Sequence, residues 1–91
     1  MQREVEIVNK LGLHARPAAL LVQCVIRFQS TISILKDGER YSAASILEVL
    51  SANLDCGTRI AIEAIGSDER EALDELETLL QRLPDEEEES V

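Results

Sequence analysis

Apolar residues in this chain of 91 residues recur with two spacings, that of a strand and that of a helix. The order in which the two spacings follow each other limits the folds that the chain can adopt. Residues 4–7, 31–36 and 59–63 alternate apolar side chains with polar or small ones, which is the pattern of strands with one buried face. After the first and third of these segments, apolar residues recur at helical spacing. The helical stripes comprise Ala18, Leu21, Val22, Val25 and Phe28 in the first helix and Ala72, Leu73, Leu76, Leu79, Leu80 and Leu83 in the last.

Turn signals between residues 36 and 54 add a strand and a short helix. Asp37-Gly38 favours a two-residue hairpin, which returns the chain through a strand at residues 40–42. Ser45 and Glu48 have the spacing of a capping box, in which each side chain bonds to the other residue's backbone N–H. This spacing predicts a short helix that ends near Asn53.

The last helix completes an α+β fold. Ser67 or Asp68 can cap this helix, and Pro84 is predicted to end it. A four-stranded antiparallel sheet with three helices on one face, in the order βαββαβα, satisfies both hydrophobic periods. We expect a single domain over residues 1–84 and a disordered acidic tail over residues 85–91.

The formal net charge of −9 excludes two classes of partner, because the chain has no basic field with which to bind nucleic acid or an anionic membrane. Its longest apolar stretch, residues 18–26, is too short to span a bilayer, and no basic leader opens the chain. We therefore expect a cytoplasmic protein. Cys24 and Cys56 lack the spacing of metal ligands, so we expect free thiols, no metal site and no cofactor.

The segment Gly12-Leu13-His14-Ala15-Arg16-Pro17 places the single histidine of the chain beside the predicted start of a helix. Proline is favoured in the first turn of a helix, so His14 lies at or near the N-cap. The N–H groups of Ala15 and Arg16 and the Arg16 guanidinium suit phosphate oxygens, and a neutral imidazole is a nucleophile. The residues alone leave two interpretations open, a solvated histidine beside an exposed arginine or a phosphate site that contains a nucleophile.

Residues 9–18, Asn-Lys-Leu-Gly-Leu-His-Ala-Arg-Pro-Ala, closely resemble the active-site segment of HPr, the histidine phosphocarrier of the bacterial phosphoenolpyruvate-dependent phosphotransferase system. The likeness continues through Ser45-Ile46-Leu47 and Gly57-Thr58 and covers residues 2–83. It implies an open-faced two-layer sandwich. It also implies a covalent carrier rather than an enzyme: enzyme I donates a phosphoryl group to His14, Arg16 stabilises that group, and IIA-type proteins accept it.

The resemblance further implies a regulatory site and a docking surface. Ser45 corresponds to the serine that HPr kinase/phosphorylase modifies in many members, although the same serine can simply cap its helix. Exposed apolar groups around His14 would receive the protein partners of a monomeric carrier. The residues expected at this surface are Leu20, Gln23, Ile46, Leu47 and Leu50, with Ile26 beside them.

Departures from the better-known members leave a second function open. Those members often carry lysines at the positions of Gln23, Ile26, Ala44 and Glu48, and residues 9–12 resemble the nitrogen-related branch of the family. The alternative is a regulatory docking module of a nitrogen-related or incomplete phosphotransferase system. A small phosphatase that uses Arg16 as a phosphate clamp is a weaker alternative, because no second base lies near His14 in sequence.

Overall fold

The computed structural model describes the backbone of residues 1–89 and the side chains of residues 1–83. Its elements are β1 (Gln2–Glu6), α1 (Ala15–Val25), β2 (Thr31–Lys36), β3 (Glu39–Ser42), α2 (Ile46–Ser51), β4 (Arg59–Ile65) and α3 (Glu69–Glu89). The predicted order βαββαβα is confirmed. Within the described part of the chain, no helix combines the length and apolarity needed to cross a bilayer.

The four strands form one antiparallel sheet in the order β1-β4-β2-β3, and the helices cover one of its faces. Ile34 of β2 lies opposite Ile62 of β4, and both side chains are buried beneath the helices. Most of the predicted stripe residues are buried, as their spacing requires. The core includes Ile32, Ile34, Ile60, Ile62, Ala18, Leu21, Val25, Leu73, Leu76 and Leu83.

The end of the last helix differs from the prediction. α3 continues through Pro84 to Glu89, so the expectation that Pro84 ends the helix is wrong. A proline forfeits one backbone hydrogen bond, but the glutamates that follow it are good helix formers. The predicted disordered tail over residues 85–91 stays a prediction, because its side chains and the backbone of residues 90 and 91 lie outside the described residues.

The start of α3 is tied to the loop between α1 and β2. Asp68 precedes α3, and its carbonyl oxygen accepts the Ala72 N–H at 2.9 Å. Its carboxylate accepts the N–H groups of Gln29 and Ser30 at 2.8 and 2.9 Å and the Ser30 hydroxyl at 2.5 Å. The Ser30 hydroxyl, followed by the Gln29 N–H, lowers the pKa of Asp68 below its usual value. Asp68 therefore anchors a loop in addition to standing at the cap position.

Candidate functional site

His14 is the N-cap residue of α1, as the position of Pro17 predicts. Its backbone is extended, with φ −83° and ψ −166°, and its carbonyl oxygen accepts the Ala18 N–H at 2.9 Å. The exposed His14 imidazole makes no capping hydrogen bond to α1, whose residues are all described. The imidazole therefore stands beside the N-terminal end of the helix without serving as its cap.

The loop before His14 is fixed to the turn between α2 and β4. The Leu13 N–H donates to the Leu54 carbonyl at 2.8 Å, and the Gly12 N–H donates to the Asn9 carbonyl at 3.0 Å. The buried Asn9 side chain in turn donates from Nδ2 to the Gly12 carbonyl. Gly12 has a φ of +69°, and a Cβ atom there would lie 2.6 Å from the Leu54 carbonyl oxygen. Only glycine fits this contact without displacing the backbone.

The first turn of α1 favours the binding of an anion. Ala15 and Arg16 are exposed, and Pro17 is buried and anchors the turn in the core. This turn, which is described in full, contains no acidic residue. The partial positive charge of the helix end and the Arg16 guanidinium therefore act in the same direction, toward binding a negatively charged group beside His14.

Ser45 is the N-cap residue of α2, and half of the predicted capping box forms. The Ser45 hydroxyl oxygen accepts the Glu48 N–H at 3.3 Å. The other half of the box does not form, because the Glu48 carboxylate accepts the N–H of Ser42 at 2.9 Å. The N–H of Ser45 donates instead to the Ser42 carbonyl oxygen at 3.3 Å. The turn before α2 brings the Ser42 N–H within reach of Glu48, so this carboxylate joins the helix to the end of β3.

The five predicted docking residues lie in two places. Ile46, Leu47 and Leu50 are exposed on α2, with Leu47 at 76% of its full accessibility, and Ile26 is 63% exposed at the end of α1. Leu20 and Gln23 instead line a groove between α1 and α3.

Leu20 and Cys24, which lie off the predicted stripe of α1, are half-buried against the core. The buried arc of α1 is wider than the stripe because α1 packs against both α2 and α3. Arg27 closes the same groove with an ion pair to Glu75 at 2.5 Å. Leu20 is therefore half-buried in this groove, and its place in the docking surface stays a prediction.

Among the side chains that the structure describes, no group of three or more His, Cys, Asp or Glu residues is placed to hold a metal ion. Cys24 and Cys56 are free thiols. The His14 imidazole, the Arg16 guanidinium and backbone N–H groups all lie at the first turn of α1.

Comparison with known proteins agrees with this combination of fold and site. Residues 1–82 match the family model described as the PTS HPr component phosphorylation site. The HPr-like protein Crh of Bacillus subtilis is 43% identical over 81 residues, which cover 89% of this chain and 95% of Crh. The phosphocarrier protein HPr of Treponema pallidum is 40% identical over 85 residues, with coverage of 93% and 97%. The phosphocarrier protein NPr of Proteus mirabilis is 41% identical over 80 residues, with coverage of 87% and 89%.

Solved structures share the fold. HPr of Thermoanaerobacter tengcongensis superposes with a TM-score of 0.88 at 39% identity, covering 92% of this chain and 94% of that one. Crh of Bacillus subtilis, whose structure is a domain-swapped dimer, superposes with a TM-score of 0.74 at 43% identity, covering 90% and 94%. The α+β sandwich and its histidine segment define a small phosphocarrier protein. The chain belongs to the HPr family of the phosphotransferase system.

Proposed function

We propose that this chain accepts a phosphoryl group on His14 from phosphorylated enzyme I and donates it to a histidine or cysteine of a IIA-type protein. The observation that supports this proposal is the exposed imidazole at the N-cap of α1. In the first transfer, a bond forms between phosphorus and an imidazole nitrogen of His14, by family precedent Nδ1, as the bond between phosphorus and enzyme I breaks. In the second transfer, a bond forms between phosphorus and the acceptor's histidine nitrogen or cysteine sulfur as the bond to His14 breaks. The chain is therefore a substrate in both transfers and is regenerated after each cycle.

The roles of the residues beside His14 follow from charge. The backbone N–H groups of Ala15 and Arg16 bind phosphoryl oxygens, and the Arg16 guanidinium neutralises charge that is shared between donor and acceptor during transfer. The absence of acidic residues from this fully described turn supports the assignment, because a carboxylate there would repel the group.

The partners meet the exposed apolar side chains of α2. Ile46, Leu47 and Leu50 form this docking face, and Leu20 and Gln23 contribute at most from the neighbouring groove. HPr kinase/phosphorylase modifies Ser45 at the edge of the face, where the added charge alters partner binding. We propose that the carrier acts in the cytoplasm as a monomer with one domain over residues 1–84, although the dimer of Crh makes a dimeric form the alternative to test.

A regulatory docking module is the second candidate function. Two observations favour it: Gln23, Ile26 and Glu48 offer no positive charge to an acidic partner, and both Crh and NPr are among the similar proteins. In this case phosphorylation at His14 or Ser45 selects which protein is bound, and the phosphorylated form is long-lived. Rapid donation from His14 favours the carrier instead.

The mass of the intact protein after incubation with phosphoenolpyruvate and enzyme I from the same source tests the proposal. We expect the gain of one phosphoryl group, which brief acid treatment removes because phosphohistidine is acid-labile. His14→Ala should gain nothing and keep its fold, since His14 is exposed, whereas Ser45→Ala should gain the group normally. No gain in the unchanged protein, with an enzyme I that phosphorylates another carrier, rejects the carrier function.

A further inference from the structure

A lysine from another element supplies the positive charge that stabilises the C-terminal end of α2. The last carbonyl groups of a helix lack partners within the helix and form the negative end of its dipole. The last turn of α2, which is fully described, contains no basic residue. Lys36, at the end of β2, extends to this point and donates from Nζ to the carbonyl oxygens of Ala52 at 2.8 Å and Asn53 at 3.0 Å.

The turn that Lys36 holds is also the support of the loop before His14. Asn53 leaves α2 with a φ of +54°, and the next residue, Leu54, is buried. The Leu54 carbonyl accepts the Leu13 N–H at 2.8 Å. The backbone of Gly12 lies so close to the same carbonyl that a Cβ there would be 2.6 Å from its oxygen, so a displacement of this turn is transmitted to the loop.

We propose that Lys36 is a positioning residue for His14. Its ammonium group fixes the turn at residues 52–54, this turn fixes Leu13, and Leu13 fixes the adjoining imidazole relative to the N-terminal end of α1. The proposal rests on the proposed function for its effect on phosphoryl transfer. Its structural step, from Lys36 to the Leu13 N–H, is measurable whether or not His14 is phosphorylated.

A matched pair of variants isolates this role. Lys36→Met keeps an unbranched side chain that is one heavy atom shorter and removes the charge and the donors. Arg40→Met removes one cation from the same hairpin, but Arg40 pairs with Glu63 on the face of the sheet that the helices leave open. Lys36→Arg restores a charged donor that can bond to both carbonyls.

Amide hydrogen exchange measures the structural step. In Lys36→Met we expect faster exchange of the Leu13 N–H, while the amides of Ile34 and Ile62 in the centre of the sheet keep their protection and show that the protein is folded. Arg40→Met should leave Leu13 protected. Unchanged protection of Leu13 in Lys36→Met overturns the proposal, even if the protein accepts no phosphoryl group at all.

Transfer kinetics measure the functional step. With phosphorylated enzyme I in rapid mixing, we expect Lys36→Met to lower the maximal transfer rate about tenfold with KM changed less than about twofold, because a misplaced acceptor loses reaction geometry before it loses binding. Lys36→Arg should recover most of this rate, and Arg40→Met should match the unchanged protein. A rise in KM with an unchanged maximal rate, or no difference between the Met variants, contradicts a positioning role for Lys36.

Discussion

The Leu13 N–H lies 2.8 Å from the Leu54 carbonyl oxygen, and this hydrogen bond attaches the His14 loop to the turn that follows α2. Gly12 makes the attachment close, because a Cβ atom at this position would approach the same oxygen to 2.6 Å. The two segments are more than 40 residues apart in sequence. The geometry at His14 therefore depends on the packing of the whole domain, and substitutions at Gly12 should affect both stability and transfer.

Gly12→Ala should destabilise the protein more than Gly38→Ala. Both glycines have positive φ values, +69° and +81°, which cost an alanine about 1–2 kcal/mol. A Cβ at Gly38 meets nothing within 4 Å, whereas at Gly12 it overlaps the Leu54 carbonyl, which adds roughly 1–3 kcal/mol. Urea unfolding of the two variants measures the difference. Equal losses of unfolding free energy would show that the loop relaxes around the added methyl group.

Arg16→Ala should slow phosphoryl transfer while His14 still accepts the group. The variant removes a stabilising charge and leaves the nucleophile in place, so we expect a loss of about tenfold or more in the single-turnover rate. Arg27→Ala is the matched control, because Arg27 follows the C-terminal end of α1, at the opposite end of the helix from His14, and pairs with Glu75. Rates that match between the two variants would remove Arg16 from the transfer step.

Ser45→Ala should lower stability through the loss of a helix cap. The Ser45 hydroxyl accepts the Glu48 N–H at 3.3 Å, and removing such a cap costs about 1 kcal/mol. For a domain of this size, that corresponds to a decrease in Tm of roughly 4–8 °C. Ser45→Asp preserves a capping oxygen and should melt near the unchanged protein. If Ser45→Ala melts at the same temperature as Ser45→Asp, the cap contributes nothing measurable.

The sequence predicts those features of the fold that depend on neighbouring residues. Pro17 placed the helix start correctly and with it His14, and Ser45 with Glu48 predicted the short helix. Contacts between distant segments carry no such local signal. Lys36 lies at the end of a strand with no pattern that links it to α2, and Gly12 meets Leu54 across more than 40 residues of sequence.

The differences from the sequence-based expectations have a similar origin. A helical stripe identifies one buried direction, and the partial burial of Leu20 results from a second neighbour, α3, that the stripe does not specify. Proline disrupts helices locally, which predicts an end of the last helix at Pro84, yet α3 continues to Glu89. The sequence rules describe local preferences, and packing or the residues that follow can outweigh them.

Cys56 should react with alkylating reagents before Cys24. Cys56 is exposed, whereas Cys24 is half-buried between α1 and α3, and burial raises the pKa of its thiol. The thiolate is the reactive form, so a raised pKa and restricted access both slow Cys24. Intact mass measured over time at pH 8 for Cys24→Ser and Cys56→Ser gives each rate separately. Faster alkylation of Cys24 would show that the groove between α1 and α3 opens in solution.

Asp68 should make the stability of the protein depend on pH in the acid range. Its pKa is lowered by the Ser30 hydroxyl and then by the Gln29 N–H, so the folded protein favours the carboxylate form. The unfolded chain binds a proton at the ordinary value, about 3.9. The stability that Asp68 contributes is therefore present above about pH 4 and is lost as the pH falls through the lowered value.

Thermal unfolding of Asp68→Asn between pH 2 and pH 7 measures this contribution. The variant should melt at a lower temperature than the unchanged protein at pH 7, because the amide oxygen is a weaker acceptor for the Ser30 hydroxyl and the loop amides. The difference should shrink as the pH falls below about 4, where Asp68 of the unfolded chain takes up a proton first, and it should be smallest below the lowered pKa of the native carboxylate. Asp37→Asn, at an exposed hairpin position, is the control, and its melting temperature should change with pH in parallel with that of the unchanged protein. A difference for Asp68→Asn that stays constant over the whole range would mean that its cause is not the ionisation of the carboxylate that bonds to the loop between α1 and β2.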